Sequence, residues 1–178
     1  MARDLSQSKI KLQLRKLTTL ALLVALGVVL SPILRVPGMA PMQHFINVIC
    51  AVLLGPWYAL LCAVLIAVLR MALLGINLLA VTGAVFGAVL SGLAYRFTKR
   101  LLAAVAGEVV GTGIIGAIAS YPVMALVYGN HEVVFFTYVP SFLLGTIIGG
   151  MTAFVFLAAL RRRGLLQKFQ RQVNGHDG

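Results

Sequence analysis

The chain has 178 residues, 61% of them hydrophobic and 11% charged, with fifteen Lys/Arg against four Asp/Glu and a formal net charge of +11. A soluble domain is about half apolar and about a quarter charged, so a mean hydropathy of +1.01 excludes a water-soluble enzyme, a disordered chain and a disulfide-stapled secreted scaffold. The apolar residues form blocks far longer than a core strand, and the fold class that follows is an all-α polytopic membrane protein.

In chain order, the first block runs from Leu17 to Leu34 and is expected to end at Ser31-Pro32 and the Arg35–Pro41 stretch. It is too long for a cleaved signal and more spans follow it. The second is Met42 to Leu54, closed by Gly55-Pro56; the third is Trp57 to Leu74; the fourth is Asn77 to Tyr95. The fifth covers Leu101 to Val127, with Pro122 near its end, and the sixth runs from Phe135 to Leu160 and stops at Arg161-Arg162-Arg163. These blocks predict a six-helix transmembrane bundle over 17–160, between a basic segment at 1–16 and a basic tail at 161–178. No internal repeat is evident, so an inverted-repeat transporter is not supported.

The basic residues sit at the ends of the apolar blocks and form no stripe along any element, which argues against nucleic acid and for anionic headgroups as their partners. Arg3, Lys9, Lys11, Arg15 and Lys16 precede the first block, Arg96, Lys99 and Arg100 lie between the fourth and fifth, and Arg161, Arg162, Arg163, Lys168 and Arg171 follow the sixth. Thirteen of the fifteen cations thus mark one side, leaving Arg35 and Arg70 toward the other. By the positive-inside rule both termini are cytoplasmic.

The second block is short: at about 1.5 Å per residue it reaches roughly 20 Å, against a hydrocarbon core of ~30 Å. The stretch before it, Ser31 to Pro41, contains three prolines and a glycine and is not expected to be helical. Irregular backbone at membrane depth needs protein or a watery cavity to cover it. We read this stretch as a loop over or into an outward-facing cavity; the alternative is a tilted second helix that starts at the surface.

Polar groups inside spans are costly, so each needs a reason. His44 and Asn47 are spaced i, i+3 on one face of the short helix, roughly 16 and 12 Å from the Gly55 turn. Glu108 lies roughly 12 Å in from the same side, and Arg70 roughly 20 Å in. This cluster fits a small-molecule site with donors and acceptors of both signs. The alternative is a structural network in which Glu108 pairs with Arg70 or His44 and only holds helices together. Asn77 is placed to cap the fourth helix and also to face the cavity. Tyr121, Tyr138 and Ser141 lie near the outer ends of the last two spans, where an interfacial belt is the usual role and a ligand contact the alternative. His131 and Glu132 fall in the outer loop and are expected to be solvated. Cys50 and Cys62, both within apolar runs, are expected to be buried thiols.

Small residues recur at helical spacing: Ala21 and Ala25; Ala59, Ala63 and Ala67; Gly83 and Gly87; Ala84 and Ala88; Gly107 and Gly111; Gly145 and Gly149. Such faces let helix backbones approach closely, within the bundle or against a partner subunit. The chain has no phosphate-binding Gly-x-x-x-x-Gly-Lys-Ser/Thr loop, no His-Glu-x-x-His and no Gly-x-Ser-x-Gly elbow. It is therefore expected not to hydrolyse ATP, not to be an enzyme and to hold no metal or cofactor.

Taken together, these features resemble the substrate-binding S components of energy-coupling factor (ECF) vitamin transporters, with Ala21-Leu-Leu-Val-Ala25 as the first-helix motif. Within that group, His44-Phe-Ile-Asn47, Leu53-Leu-Gly-Pro-Trp-Tyr-Ala59, Gly107-Glu-Val-Val-Gly-Thr-Gly113 and Pro140-Ser-Phe142 are similar to the ThiW family. The resemblance covers essentially the whole chain. It implies a subunit in the plasma membrane of a prokaryote that captures the thiazole precursor of thiamin. It also implies partners: a membrane coupling subunit, docked on Ala21 and Ala25, and two ATPase subunits. The residues it would use for ligand are His44, Asn47, Arg70, Asn77 and Glu108. Alternatives are an S component for hydroxymethylpyrimidine or thiamin, or a ligand-free membrane scaffold. Thiamin's fixed charge would call for an aromatic cage with an acid, whereas the sole tryptophan, Trp57, lies at the cytoplasmic end.

Overall fold

A computed structural model of the protein describes residues 2–33, 40–130, 132 and 134–175, with side chains described from residue 7 onward. All regular structure among these residues is helical: α1 (Ala2–Ile33), α2 (Pro41–Leu54), α3 (Pro56–Leu74), α4 (Leu79–Thr98), α5 (Leu101–Val127), α6 (Val139–Arg162) and α7 (Leu165–Asn174). Five helices (α1 from Gln7 onward, α3, α4, α5 and α6) are long and apolar enough to cross a membrane; α2 is a shorter apolar helix. Expected and observed helix limits agree closely for α2, α3 and α5.

Helix α2 is the hub. It packs against α1, α3, α4, α5, α6 and α7, and most of its fourteen residues are buried. A helix sheathed by others has its backbone bonds satisfied internally and meets little lipid, so it need not match the bilayer thickness. Pro41 opens it, where a missing N–H costs nothing. Gly55, at φ 87°, turns the chain sharply into α3, which again opens on proline.

This turn creates a local deficit that α7 repairs. The Val52 carbonyl would bond the N–H four residues on, but that residue is Pro56, which has none. Gln170 Nε2 donates to the Val52 oxygen at 2.8 Å, and Asn174 Nδ2 donates to that of Leu53 at 2.9 Å. Leu166 and Val173 anchor α7 by burial. The basic tail is thus a docked amphipathic helix, which sequence analysis left without structure.

Two further expectations need correction. The stretch from Ser31 is not non-helical from its start: Ser31 and Pro32 lie in the last turn of α1, which is described to Ile33, beside the expected Leu34; there proline forfeits one bond and the Ser31 hydroxyl donates to the Gly27 carbonyl at 2.5 Å. The remainder of the expected loop, 34–39 with Arg35, lies outside the described residues, as does His131; Glu132 is exposed. The same helix runs on through the basic residues 7–16. Asn77 does not cap α4 with its side chain. Leu78 precedes the helix, and its N–H donates to the Tyr128 hydroxyl at 3.1 Å.

Apart from Ala21 and Ala25 on α1, the small-residue faces pack inside the bundle. Ala59, Ala63, Ala67 and Ala88 are fully buried. The α4–α5 contact is backbone on backbone: a Cβ on Gly111 would lie 2.6 Å from Gly87 Cα and from the Phe86 carbonyl oxygen, and one on Gly107 2.6 Å from the Leu90 oxygen. Helix α5 winds as π-helix over Gly111–Gly116 and Val123–Val127, following a glycine-rich run and Pro122. Cys50 and Cys62 are free and buried, as expected. Because the obstructing atoms at Gly111 are backbone, Gly111→Ala should cost about 1–3 kcal/mol and lower the unfolding temperature in detergent. Ala106→Leu on the exposed face of the same helix should leave it within error.

Candidate functional site

The buried carboxylate of Glu108 organises the bundle interior. Its Oε1 faces His44 Nδ1 at 2.9 Å and accepts from Asn47 Nδ2 at 3.1 Å and from Thr112 Oγ1 at 3.3 Å. Asn47 Nδ2 also lies 3.4 Å from the Ala84 carbonyl oxygen on α4. A carboxylate only accepts, so the imidazole nitrogen facing it carries the proton, which leaves Nε2 as the other polar edge of the ring. Helix α4 contributes room: a Cβ on Gly87 would come within 2.8 Å of Glu108 Oε2 and 2.1 Å of Thr112 Oγ1. Within the bundle Glu108 pairs with His44 and not with Arg70. Arg70 Nη1, from α3, donates instead to Gln43 Oε1.

Beside this network lies a cavity of about 200 Å³ between α2, α3, α4 and α6. Its polar wall is Gln43, His44, Arg70 and Asn77; its apolar wall includes Ile76, Leu79 and Phe142. Gly83 and Ala84 floor it with small side chains, and a Cβ on Gly83 would press to 2.8 Å on the Phe142 ring. Of the residues singled out from sequence, His44, Arg70 and Asn77 are therefore on the wall. Asn47 and Glu108 stand behind it, joined to it through His44.

Tyr121, Tyr138 and Ser141 are not among the described lining residues. The Tyr121 ring packs on Phe135 with centroids 5.1 Å apart, and that of Tyr138 on Phe142 at 6.0 Å. The Ser141 hydroxyl donates to the Tyr138 carbonyl at 3.1 Å. Ala21 and Ala25 lie on an exposed face of α1, and Trp57 is 67% exposed. Sequence reasoning passed over Gln43 and Thr112. Gln43 carried the same signal as its neighbours, a polar side chain in a short apolar helix. Thr112 carried none, since threonine is common within apolar helices.

With this geometry in view, the sequence comparison is decisive. The description Thiamine-precursor transporter protein (ThiW) matches residues 17–163. The chain belongs to the ThiW family. ThiW proteins are transporters, so this one is a membrane protein with a small-molecule substrate. No curated protein and no solved structure matches the chain.

Removing the carboxylate strands His44 Nδ1 and Thr112 Oγ1 and leaves Asn47 Nδ2 only its longer bond to the Ala84 carbonyl, at about 1–3 kcal/mol for each buried donor left unmade. Glu108→Leu is accordingly expected to lower the unfolding temperature strongly. Thr112→Val should cost only about 1 kcal/mol, because the other two donors remain. Thermal unfolding of the two purified variants checks the ranking.

Proposed function

We propose that this ThiW protein is the substrate-capture (S) subunit of an ECF-type importer, and that it takes up the thiazole precursor of thiamin. The observation that carries the reading is the cavity of about 200 Å³ with an imidazole, a guanidinium and two amides on one wall. Drug-sized ligands occupy pockets of about 300–1,000 Å³, so this one suits a single small heterocycle better than two-ring thiamin. Hydroxyethylthiazole is neutral and offers a hydroxyl and a ring nitrogen. His44 Nε2 accepts from the hydroxyl, the Gln43 or Asn77 amide donates to the ring nitrogen, and Phe142 with Ile76 packs on the ring faces. Glu108 and Asn47 act through His44, fixing its tautomer and orientation.

In this reading both termini are cytoplasmic, in the plasma membrane of a prokaryote. The domain comprises 17–160 between basic flanks. The exposed Ala21–Ala25 face of α1 docks a membrane coupling subunit, which carries two ATPase subunits. Ligand enters from outside, and ATP hydrolysed by the partners drives its release inside.

A thermal-shift and calorimetric panel of hydroxyethylthiazole, hydroxymethylpyrimidine and thiamin on the purified protein tests the assignment. The thiazole is expected to stabilise most. His44→Ala is expected to weaken its binding at least tenfold, on the order of one lost hydrogen bond (about 1.4 kcal/mol), and Tyr121→Phe to leave it unchanged. Stabilisation by another member of the panel would reassign the substrate, and stabilisation by none would favour a ligand-free scaffold. Uptake in cells that persists without the ATPases would remove the ECF role.

A further inference from the structure

A second concavity, of about 760 Å³, opens between the start of α1 and α7, well away from the ligand cavity. Lys11 and Arg15 line it from α1, and Lys168 and Arg171 from α7, together with the polar Gln7 and Ser8; no carboxylate is on its wall among the described residues. Four like charges converging on one groove repel one another unless an anion lies among them. The groove is nonetheless a built feature. Arg15 Nη1 donates to the Gln172 carbonyl across it at 3.2 Å, and the Gln170 and Asn174 bonds to the end of α2 fix the far wall.

Its position narrows the anion. The groove lies where α1 passes from basic residues into its apolar span, and beside the arginines that close α6. Apolar side chains on the same two helices are open: Leu14 and Leu17 on α1, Leu165 and Phe169 on α7. A free phosphate would satisfy the cations but leave this apolar surface in water. A phosphate that carries acyl chains satisfies both.

We propose that the groove is a headgroup site for an anionic phospholipid. Lys11, Lys168, Arg171 and Arg15 hold the phosphate, while Leu165 and Phe169 lie along the chains. Lipid here ties the start of α1 to α7, and through α7 to α2.

Native mass spectrometry of the intact protein in detergent, titrated with phosphatidylglycerol, phosphatidylcholine or inorganic phosphate, tests this. A discrete phosphatidylglycerol adduct is expected, with phosphatidylcholine at least tenfold weaker. Each cation near an anionic headgroup is worth roughly fivefold, so K11Q/K168Q/R171Q should weaken the adduct at least tenfold. The charge-matched R96Q/K99Q/R100Q, between α4 and α5 and outside the groove's lining, should change it less than twofold. The singles K168Q and R171Q, each expected to weaken binding several-fold, serve if the triple variant does not fold. Equal weakening by both triples would show diffuse charge and no site. Equal binding of phosphatidylcholine, or displacement of the lipid by equimolar inorganic phosphate, would overturn the proposal.

Discussion

A carboxylate with no solvent access cannot remain in an apolar bundle without donors, because the desolvation of an unpaired charge outweighs any single packing gain. Glu108 is that carboxylate, and much of the architecture serves to bring donors to its Oε1. Its donors come from two elements, α2 through His44 and Asn47 and its own helix through Thr112. For α2 to reach it, α5 must lie almost on the backbone of α4, and the bare Cα atoms of Gly87 and Gly111 permit this. The shortness of α2 follows from the same demand. A helix at the hub of the bundle is held by neighbours on every side, so its length is set by the network and not by the lipid.

The same network gives the cavity its character. His44 belongs to both: one edge of its ring is fixed by Glu108, and the residue stands on the cavity wall. The bonds that hold the helices together therefore also fix a polar residue of the cavity wall. Arg70 and Gln43 repeat the arrangement on the α3 side, with one side chain bonding and steadying the other.

Much of this was legible in the residues because membrane physics is restrictive. Apolar block lengths, the Gly55-Pro56 break and the small-residue periodicities each have one dominant reading. Polar exceptions inside spans stand out because they are expensive. What could not be read depends on rotational phase and on distant contacts. Spacing places Glu108, His44 and Arg70 at comparable depths without saying which two face each other. Pro32 is a helix breaker in isolation, but in a final turn its loss is one bond, which Ser31 partly replaces. Asn77 has the chemistry of a cap, yet no side chain caps α4, and the Tyr128 hydroxyl, just past α5, accepts from the N–H of Leu78 before the helix. The fold of 165–174 was hidden for a similar reason. Its polar residues look like a solvated tail until their carbonyl partners on α2 are known.

Those partners have a bearing on biosynthesis. The two side-chain amides that complete the end of α2 lie 118 and 121 residues beyond the carbonyls they serve. Synthesis completes α2 and α3 before Gln170 and Asn174 have been translated. Until then the Val52 and Leu53 carbonyls lack these donors, so the turn between the two helices is finished by the last helix of the chain to be made among the described residues.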